Sequence, residues 1–294
     1  MSNLLFKIPF GRRQVFNLIR NWAILNVLEK QASVHLRQKK PQLAVFTFDH
    51  GANIINLDGH YEAAELECIA AWLKKFNLNR GVAIDVGANI GNHTLYFRNL
   101  FSKVFAFEPD PLHFQLLRFN TRGSDGIICY NFGLSYKTAC VPFTHENTRI
   151  VSGVNAIGAD ITIDVKALDD LPEISESHIN LIKIDVEGHE LQVLNGARKT
   201  IERNSPIILF EQHADEFKDD TSSVIECLRS MGYERFASVE RAGRISSDIH
   251  SVFRIPATLI RLVATGYNYE VREFDFFDAR FYQMLVAIPS GKGI

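Results

Sequence analysis

Val82-Ala83-Ile84-Asp85-Val86-Gly87-Ala88-Asn89-Ile90-Gly91-Asn92-His93-Thr94-Leu95-Tyr96-Phe97 is the stretch that decides the fold of this 294-residue chain. Val82, Ala83, Ile84 and Val86 form an apolar run that suits a strand buried on both faces. Gly87 and Gly91 then permit a tight turn with positive φ. From Thr94 to Phe97 an apolar pattern resumes that can open a helix. A strand, a glycine turn and a helix N-terminus in succession are expected to present unpaired backbone N–H groups to a ligand at a sheet edge.

Downstream, Val104–Phe107 reads as a second buried strand, ending at Glu108-Pro109-Asp110-Pro111, and a helix follows over about Leu112–Asn120. A third strand, Ile127–Asn131, runs into Phe132-Gly133-Leu134-Ser135. Residues 136–170 read as hairpin strands and a loop. From Leu181 a buried strand reads as ending in a carboxylate, Asp185, and the next helix carries Leu191, Leu194 and Ala197. Pro206–Phe210 is a strand ending in Glu211-Gln212-His213. A helix (Ser223–Met231), a strand (Tyr233–Val239), an insertion (about 241–270) and a last strand (Phe281–Ile288) complete the chain. Upstream, Leu43–Leu57 reads as strand-like, with Phe46 and Phe48 alternating and a turn at His50-Gly51. A helix with Leu66, Ile69, Ala70 and Leu73 follows, and Glu62 and Glu65 near its start suit the helix dipole. Strands alternating with helices predict a mainly parallel, doubly wound α/β sheet.

Ligands of such sheets sit beyond the carboxyl ends of the strands, where strand order reverses. The strand tips carry Asp85, Glu108, the Asn131–Leu134 corner, Asp185 to His189, and Glu211 to His213, which places several carboxylates and two histidines around one crevice. Glu108 stands 23 residues after Asp85, the spacing at which an acid accepts hydrogen bonds from ribose hydroxyls. The turn Gly87-Ala88-Asn89-Ile90-Gly91 lacks the middle glycine of a diphosphate-binding loop, and a carboxylate precedes it. S-adenosylmethionine carries an ammonium, a sulfonium and a ribose but no phosphate, so it fits Asp85 and Glu108 better than NAD.

Tyr61-Glu62, the D-V-G-A-N-I-G-N turn (85–92), F-E-P-D-P (107–111) and L-I-K-I-D-V-E-G-H-E-L-Q-V-L-N-G-A (181–197) together resemble the FkbM-type S-adenosylmethionine-dependent methyltransferases. The resemblance extends over about Phe46–His213. It implies a seven-stranded Rossmann-like (class I methyltransferase) sheet whose last strand is antiparallel, and O-methylation of a sugar/glycan or natural-product hydroxyl. The cofactor site expected on this basis is Glu62, Asp85, Gly87, Ala88, Asn89, Gly91, Asn92, Thr94, Glu108, Pro109, Asn131, Gly133, Leu134 and Asp185.

In-line methyl transfer to an alcohol needs alignment, exclusion of water and a base. The candidates for the catalytic base are Asp185, Glu187, His189 and His213, with an Asp185/Glu187 pair and histidine assistance preferred. A metal-assisted alternative places Mg²⁺ on Asp185, Glu211 and Gln212, since oxygen ligands suit that ion. Two competing functions are a catalytically silent S-adenosylmethionine-binding module and an NAD-dependent oxidoreductase.

Residues 1–40 hold eight Lys/Arg against the single acid Glu29, a net +7 that leaves −9 for the remainder. Val15, Leu18, Trp22, Leu25 and Leu28 recur at helical spacing. Residues 1–41 are therefore read as a basic amphipathic helical extension, packing on the domain or a twin subunit, or lying on an anionic membrane. Residues 42–294 form the catalytic domain. The insertion, with Phe253, Leu259, Ile260, Leu262 and Tyr267, suits a lid or an oligomer contact. No comparable basic patch follows, which argues against nucleic acid as a partner. The expected acceptor is a hydroxyl-bearing small molecule or saccharide. Four cysteines without a C-x-x-C pair fit free thiols in a reducing, cytoplasmic setting.

Overall fold

A computed structural model of the chain describes residues 12–47, 50–76, 78, 81–143, 161–218, 220–242 and 268–291. Most of the 241–270 insertion, including the five apolar residues named for it, lies outside that range. The chain divides into two compact units, one of Met1–Gln42 with Phe46–Tyr61 and one of Leu43–Val45 with Glu62–Ile294.

In the smaller unit, helix α1 (Arg12–Arg37) is followed by α2 (His50–Asp58). Lys39 adopts φ 55°, and the Lys40 N–H donates to His35 O at 3.0 Å, which ends the helix before Pro41. The Gln31 amide donates to Leu57 O at 3.1 Å, and the His35 ring lies at 3.1 Å from the same oxygen. The expectation of strand-like structure over Leu43–Leu57 is corrected here: His50-Gly51, read as a turn, opens α2. Its Ala52 and Ile55 are buried three residues apart, a helical spacing that outweighs the short alternation before it.

The larger unit begins with α3 (Ala63–Leu73) and then alternates β1 (Val82–Val86), α4 (Asn92–Arg98), β2 (Lys103–Phe107), α5 (Pro111–Thr121) and β3 (Ile127–Tyr130). Next come β4 (Gly133–Leu134), β5 (Ala139–Phe143), β6 (Ile161–Lys166) and α6 (Pro172–Ser175). The chain continues through β7 (Ile179–Ile184), α7 (Glu190–Gly196), α8 (Arg198–Asn204), β8 (Ile207–Gln212) and α9 (Ser223–Ser230). It closes with β9 (Tyr233–Ala242), β10 (Asn268–Phe274) and β11 (Tyr282–Pro289). The main sheet has the order β10-β9-β11-β8-β7-β1-β2-β3. Strand β1 pairs in parallel with both β2 and β7, so strand order reverses at the tip of β1, where Gly87 stands. The last strand is antiparallel to β8 and to β9, as expected. The sheet has eight strands, not seven. The additional one, β10, pairs antiparallel with β9 and comes from the end of the stretch read as an insertion.

The alternation of each strand divides the core. Ile84, Val86, Phe105, Phe107, Ile182, Ile184, Ile208 and Phe210 pack on one face. Ala83, Val104, Leu181, Ile207 and Leu209 pack on the other, beneath Leu66, Ile69 and Trp72 of α3 and Phe97 of α4. This second face also carries Asp85 and Lys183, which are register partners on β1 and β7. Asp185, two residues after Lys183, shares that face by the period-2 rule. A separate three-stranded sheet of order β4-β6-β5 holds Phe143, Ile163 and Val165 in a small apolar cluster.

Candidate active site

The glycine turn is held from below and from the side. Gly87, Asn89 and Gly91 take φ values of 74°, 49° and 93°, so the chain reverses within five residues. A Cβ on Gly87 would stand 1.9 Å from Asp185 O, so only glycine lets β1 and the segment after β7 come this close. The N–H groups of Gly87 and Ala88 both donate to Phe107 O at 3.0 Å, and that of Gly91 to Ala88 O at 2.8 Å. The Asn89 N–H donates to Glu108 Oε2 at 2.8 Å. The amides expected to await a ligand are therefore satisfied within the loop, because the strand-end carbonyl and the Glu108 carboxylate reach them first. These four amides are thus not offered to a diphosphate, which weighs against an NAD-binding loop.

Beneath the turn lies a charge cluster. Lys183 Nζ stands 3.2 Å from Asp85 Oδ1 and 3.2 Å from Asp185 Oδ2, and donates to Gly87 O at 2.9 Å. Thr94 Oγ1 donates to Asp85 Oδ2 at 2.5 Å. Burial alone would lower the Lys183 pKa, but the carboxylates of Asp185 and Asp85 outweigh it and hold the ammonium charged. Burial likewise acts to raise Asp185, and Lys183 and His93 overcome it, so Asp185 sits below its ordinary value. Asp85 is fully buried, with both oxygens engaged, so it supports the turn from inside rather than lining the crevice.

Above the turn, an open cleft is lined by Gly87, Glu108, Pro109, Gly133, Leu134, Asp185 and His189, with Phe143, Ile163 and Val165 forming an apolar wall. Glu108 also accepts from the Asp110 N–H at 2.9 Å. Burial, only partly offset by these N–H donors, pushes its pKa up to about 7. Asn131 Nδ2 donates to Glu108 O and Pro109 O at 3.0 and 3.1 Å, fixing the corner from the β3 side. Ala88, Asn89, Gly91, Asn92 and Thr94 build the turn and the start of α4 and do not line this cleft. Glu62, at φ 57°, places Oε2 at 3.1 Å from His93 Nε2 and accepts from the Gln283 amide.

One end of the cleft is shaped by the loop after β7, through Asp185, Val186 and His189. Glu187 and Gly188 both take positive φ, 53° and 89°, and Glu190 Oε1 accepts from the N–H groups of Val186 and Gly188 at 3.3 and 3.2 Å. Glu187 is exposed, and its Oε2 lies 3.8 Å from His213 Nε2. Burial and then Asp185 raise its pKa. His213 Nε2 is also 3.8 Å from Glu211 Oε2, and its ring packs on Phe281 at 5.2 Å. His189 is buried, with Nε2 at 3.0 Å from Ser135 Oγ, and burial lowers its pKa. Among the described residues, Glu187, Glu211 and His213 form the group whose ligand atoms converge, all within 4.8 Å. Gln212, expected to join Asp185 and Glu211 on Mg²⁺, is fully buried: its Oε1 accepts from Ser222 Oγ at 2.6 Å and its Nε2 donates to Glu216. With both ends of that amide committed, the expected Asp185, Glu211 and Gln212 ligand set does not assemble.

Burial, followed by Asp185 and Glu187, raises the Glu211 pKa to about 9. A carboxyl whose folded pKa exceeds its unfolded value binds more protons when folded, so its stabilising contribution is lost as pH rises through the folded pKa. The melting temperature of the ligand-free protein is therefore expected to fall between about pH 5 and about pH 9, and Glu211→Gln should flatten the fall. A melting temperature that rises over this range would contradict the proton held at Glu211.

Residues 85–235 match the model of the methyltransferase FkbM domain, from the first acid of the turn to the start of β9. The chain belongs to the FkbM methyltransferase family. The hexuronic acid methyltransferase AglP of Haloferax volcanii is 32% identical over 145 residues, covering 48% of this chain and 59% of that protein. Methyltransferase sdnD of Sordaria araneosa is 29% identical over 152 residues, covering 38% of this chain and 59% of that protein. The chain thus spans about three-fifths of the length of these relatives. Among solved structures, methyltransferase FkbM from Methylobacillus flagellatus aligns with a TM-score of 0.37 at 21% identity, over 66% of this chain and 49% of that one. A putative methyltransferase from Streptococcus mutans, in complex with S-adenosylhomocysteine, aligns with a TM-score of 0.38 at 12% identity, over 74% and 96%.

The cofactor that FkbM membership implies is S-adenosylmethionine, and the cleft suits it. An apolar wall of Phe143, Ile163 and Val165 can cover a purine, Glu108 can accept from ribose hydroxyls, and the satisfied loop amides make no demand for phosphate. Two further groups take part in the site, Lys183 within the 181–197 motif and His93 one residue after the 85–92 turn. Lys183 was legible, because an i, i+2 Lys-Asp pair in a buried strand needs a partner. His93 acquires its place only through contact with Glu62.

Proposed function

We propose that this chain is an S-adenosylmethionine-dependent O-methyltransferase acting on a hydroxyl of a saccharide, with a uronic-acid-bearing glycan as the first candidate acceptor and natural-product alcohols as the wider class. The observation that carries this reading is the convergence of Asp185, Glu187, Glu211 and His213 beside the cleft that suits the methyl donor. The similarity to a hexuronic acid methyltransferase supports a sugar acceptor.

When bound, the cofactor supplies an electrophilic methyl group; the chain supplies the rest. Lys183 holds Asp185 ionised at the tip of β7, where it can accept a hydrogen bond from the reacting hydroxyl. Glu187 takes the proton as the oxygen attacks. It is exposed, its raised pKa lies closer to the working range of a base than that of Asp185, and His213 stands beside it to balance charge. His189 orients the β7–α7 loop through Ser135. Asp185 and Glu187 can accept hydrogen bonds from an alcohol, and the charge on Asp185 disfavours an anionic oxygen beside it, so we assign the reacting oxygen to a hydroxyl even when the sugar is an acid.

The test is transfer of a labelled methyl group from S-adenosylmethionine to a panel of uronic-acid-bearing saccharides, followed by mild alkali. A methyl ether retains the label. Release of the label would identify a methyl ester and overturn the hydroxyl assignment.

A further inference from the structure

We propose that α1 docks on an anionic lipid bilayer, lying along its surface and inserting one apolar face. Phe16, Ile24 and Val27 are exposed on other sides of the helix, and Val15, Leu18, Ile19, Trp22 and Leu25 form one exposed stripe, with Trp22 67% exposed. This is a contiguous apolar surface of a kind that marks an interaction site. Contact within the small unit does not cover it. Leu28, Gln31, Val34 and His35 are the half-buried positions near the C-terminal end, where Gln31 and His35 reach Leu57 O. The stripe of Val15, Leu18, Trp22 and Leu25 lies on another side of the helix and stays exposed.

Charge selects the occupant. Arg12, Arg13, Arg20, Lys30, Arg37, Lys39 and Lys40 stand in α1 and its exit turn against Glu29 alone, and Arg20, Lys30, Arg37 and Lys39 are exposed. A basic helix with exposed Trp, Phe, Leu and Ile fits the hydrocarbon boundary of an anionic leaflet, with aromatic rings and aliphatic chains below the headgroups and cations among them. A second copy of the chain fits less well. Two such helices repel each other, and the stripe ends after two heptads where Glu29 takes the next position, short of the three to four heptads a coiled coil needs. No helix among the described residues is long and apolar enough to cross a membrane, and Asn17, Arg20, Asn21 and Asn26 interrupt this one, so it lies on the surface.

The chain has two tryptophans, and the second, Trp72, is buried, so a change in tryptophan emission reports on α1. The full-length protein is mixed at low salt with vesicles of phosphatidylcholine alone or with phosphatidylglycerol. Co-sedimentation with the anionic vesicles only, a blue shift of emission that Trp22→Phe abolishes, and reversal by high salt are expected. Leu18→Gln with Leu25→Gln should weaken binding at least about tenfold while leaving the circular dichroism of the protein unchanged. Arg20→Glu with Lys30→Glu should do the same through charge. Absence of co-sedimentation, or equal binding to neutral vesicles, would overturn the proposal. So would a dimer in sedimentation velocity that the two leucine substitutions dissociate, since the face would then belong to a second copy.

Discussion

Lys183→Met is expected to cost about 3–5 kcal/mol of stability, the usual penalty for leaving a buried charge without its partner. The ammonium is buried between Asp85 and Asp185, both at 3.2 Å, and ties Gly87 O at 2.9 Å. Methionine fills similar volume but leaves Asp85 buried with an uncompensated charge and frees the turn carbonyl. Two readouts separate this role from simple packing. Affinity for S-adenosylhomocysteine should fall along with the melting temperature, because the same group positions the turn. Combining Lys183→Met with Asp85→Asn should recover part of the lost stability, since the second change removes the charge that the first one stranded. A Lys183→Met protein as stable as the wild type, or a double variant whose losses simply add, would contradict the clamp.

Glu187→Gln is expected to lower kcat by about 10²–10⁴-fold, the range that general-base assistance supplies, while leaving S-adenosylhomocysteine affinity unchanged. The amide keeps the size of the side chain and its place opposite His213 but cannot accept the proton. Because burial and Asp185 raise the Glu187 pKa, the rate should fall on the acid side at a pH above the ordinary carboxylate value. That acid limb should vanish in Glu187→Gln. An unchanged kcat would remove Glu187 as the base and return the role to Asp185 or His213.

Much of this was legible in the sequence because it depends on local patterns. The apolar run ending in Asp85, the glycines at 87 and 91, and Glu108 before two prolines set the parallel strands and the tips around the crevice. The antiparallel direction of the last strand came from the family resemblance, not from its own residues. What the sequence could not convey depends on distant pairing. Strand β10 carries only the short alternation of Tyr269 and Val271 with Glu270 and Arg272, and its place in the sheet is defined by its register with β9. Helix α2 was hidden by the alternation of Phe46 and Phe48 before it and by Gly51, Asn53 and Asn56, which are poor helix formers, and packing of Ala52 and Ile55 decides the matter. The fate of the turn amides was hidden for the same reason: Phe107 O and Glu108 Oε2 occupy them only once β2 lies beside β1. Gln212 looked like an oxygen ligand until Ser222 and Glu216 claimed its amide from the segment that follows.

Isothermal titration with S-adenosylhomocysteine tests whether the methyl donor binds above this turn with its ribose on Glu108. The wild-type protein should bind one equivalent saturably and give no saturable heat with NAD, and Glu108→Gln should weaken binding at least about tenfold, the loss of a charge-assisted hydrogen bond. No saturable binding of S-adenosylhomocysteine, or binding that Glu108→Gln leaves untouched, would contradict the account.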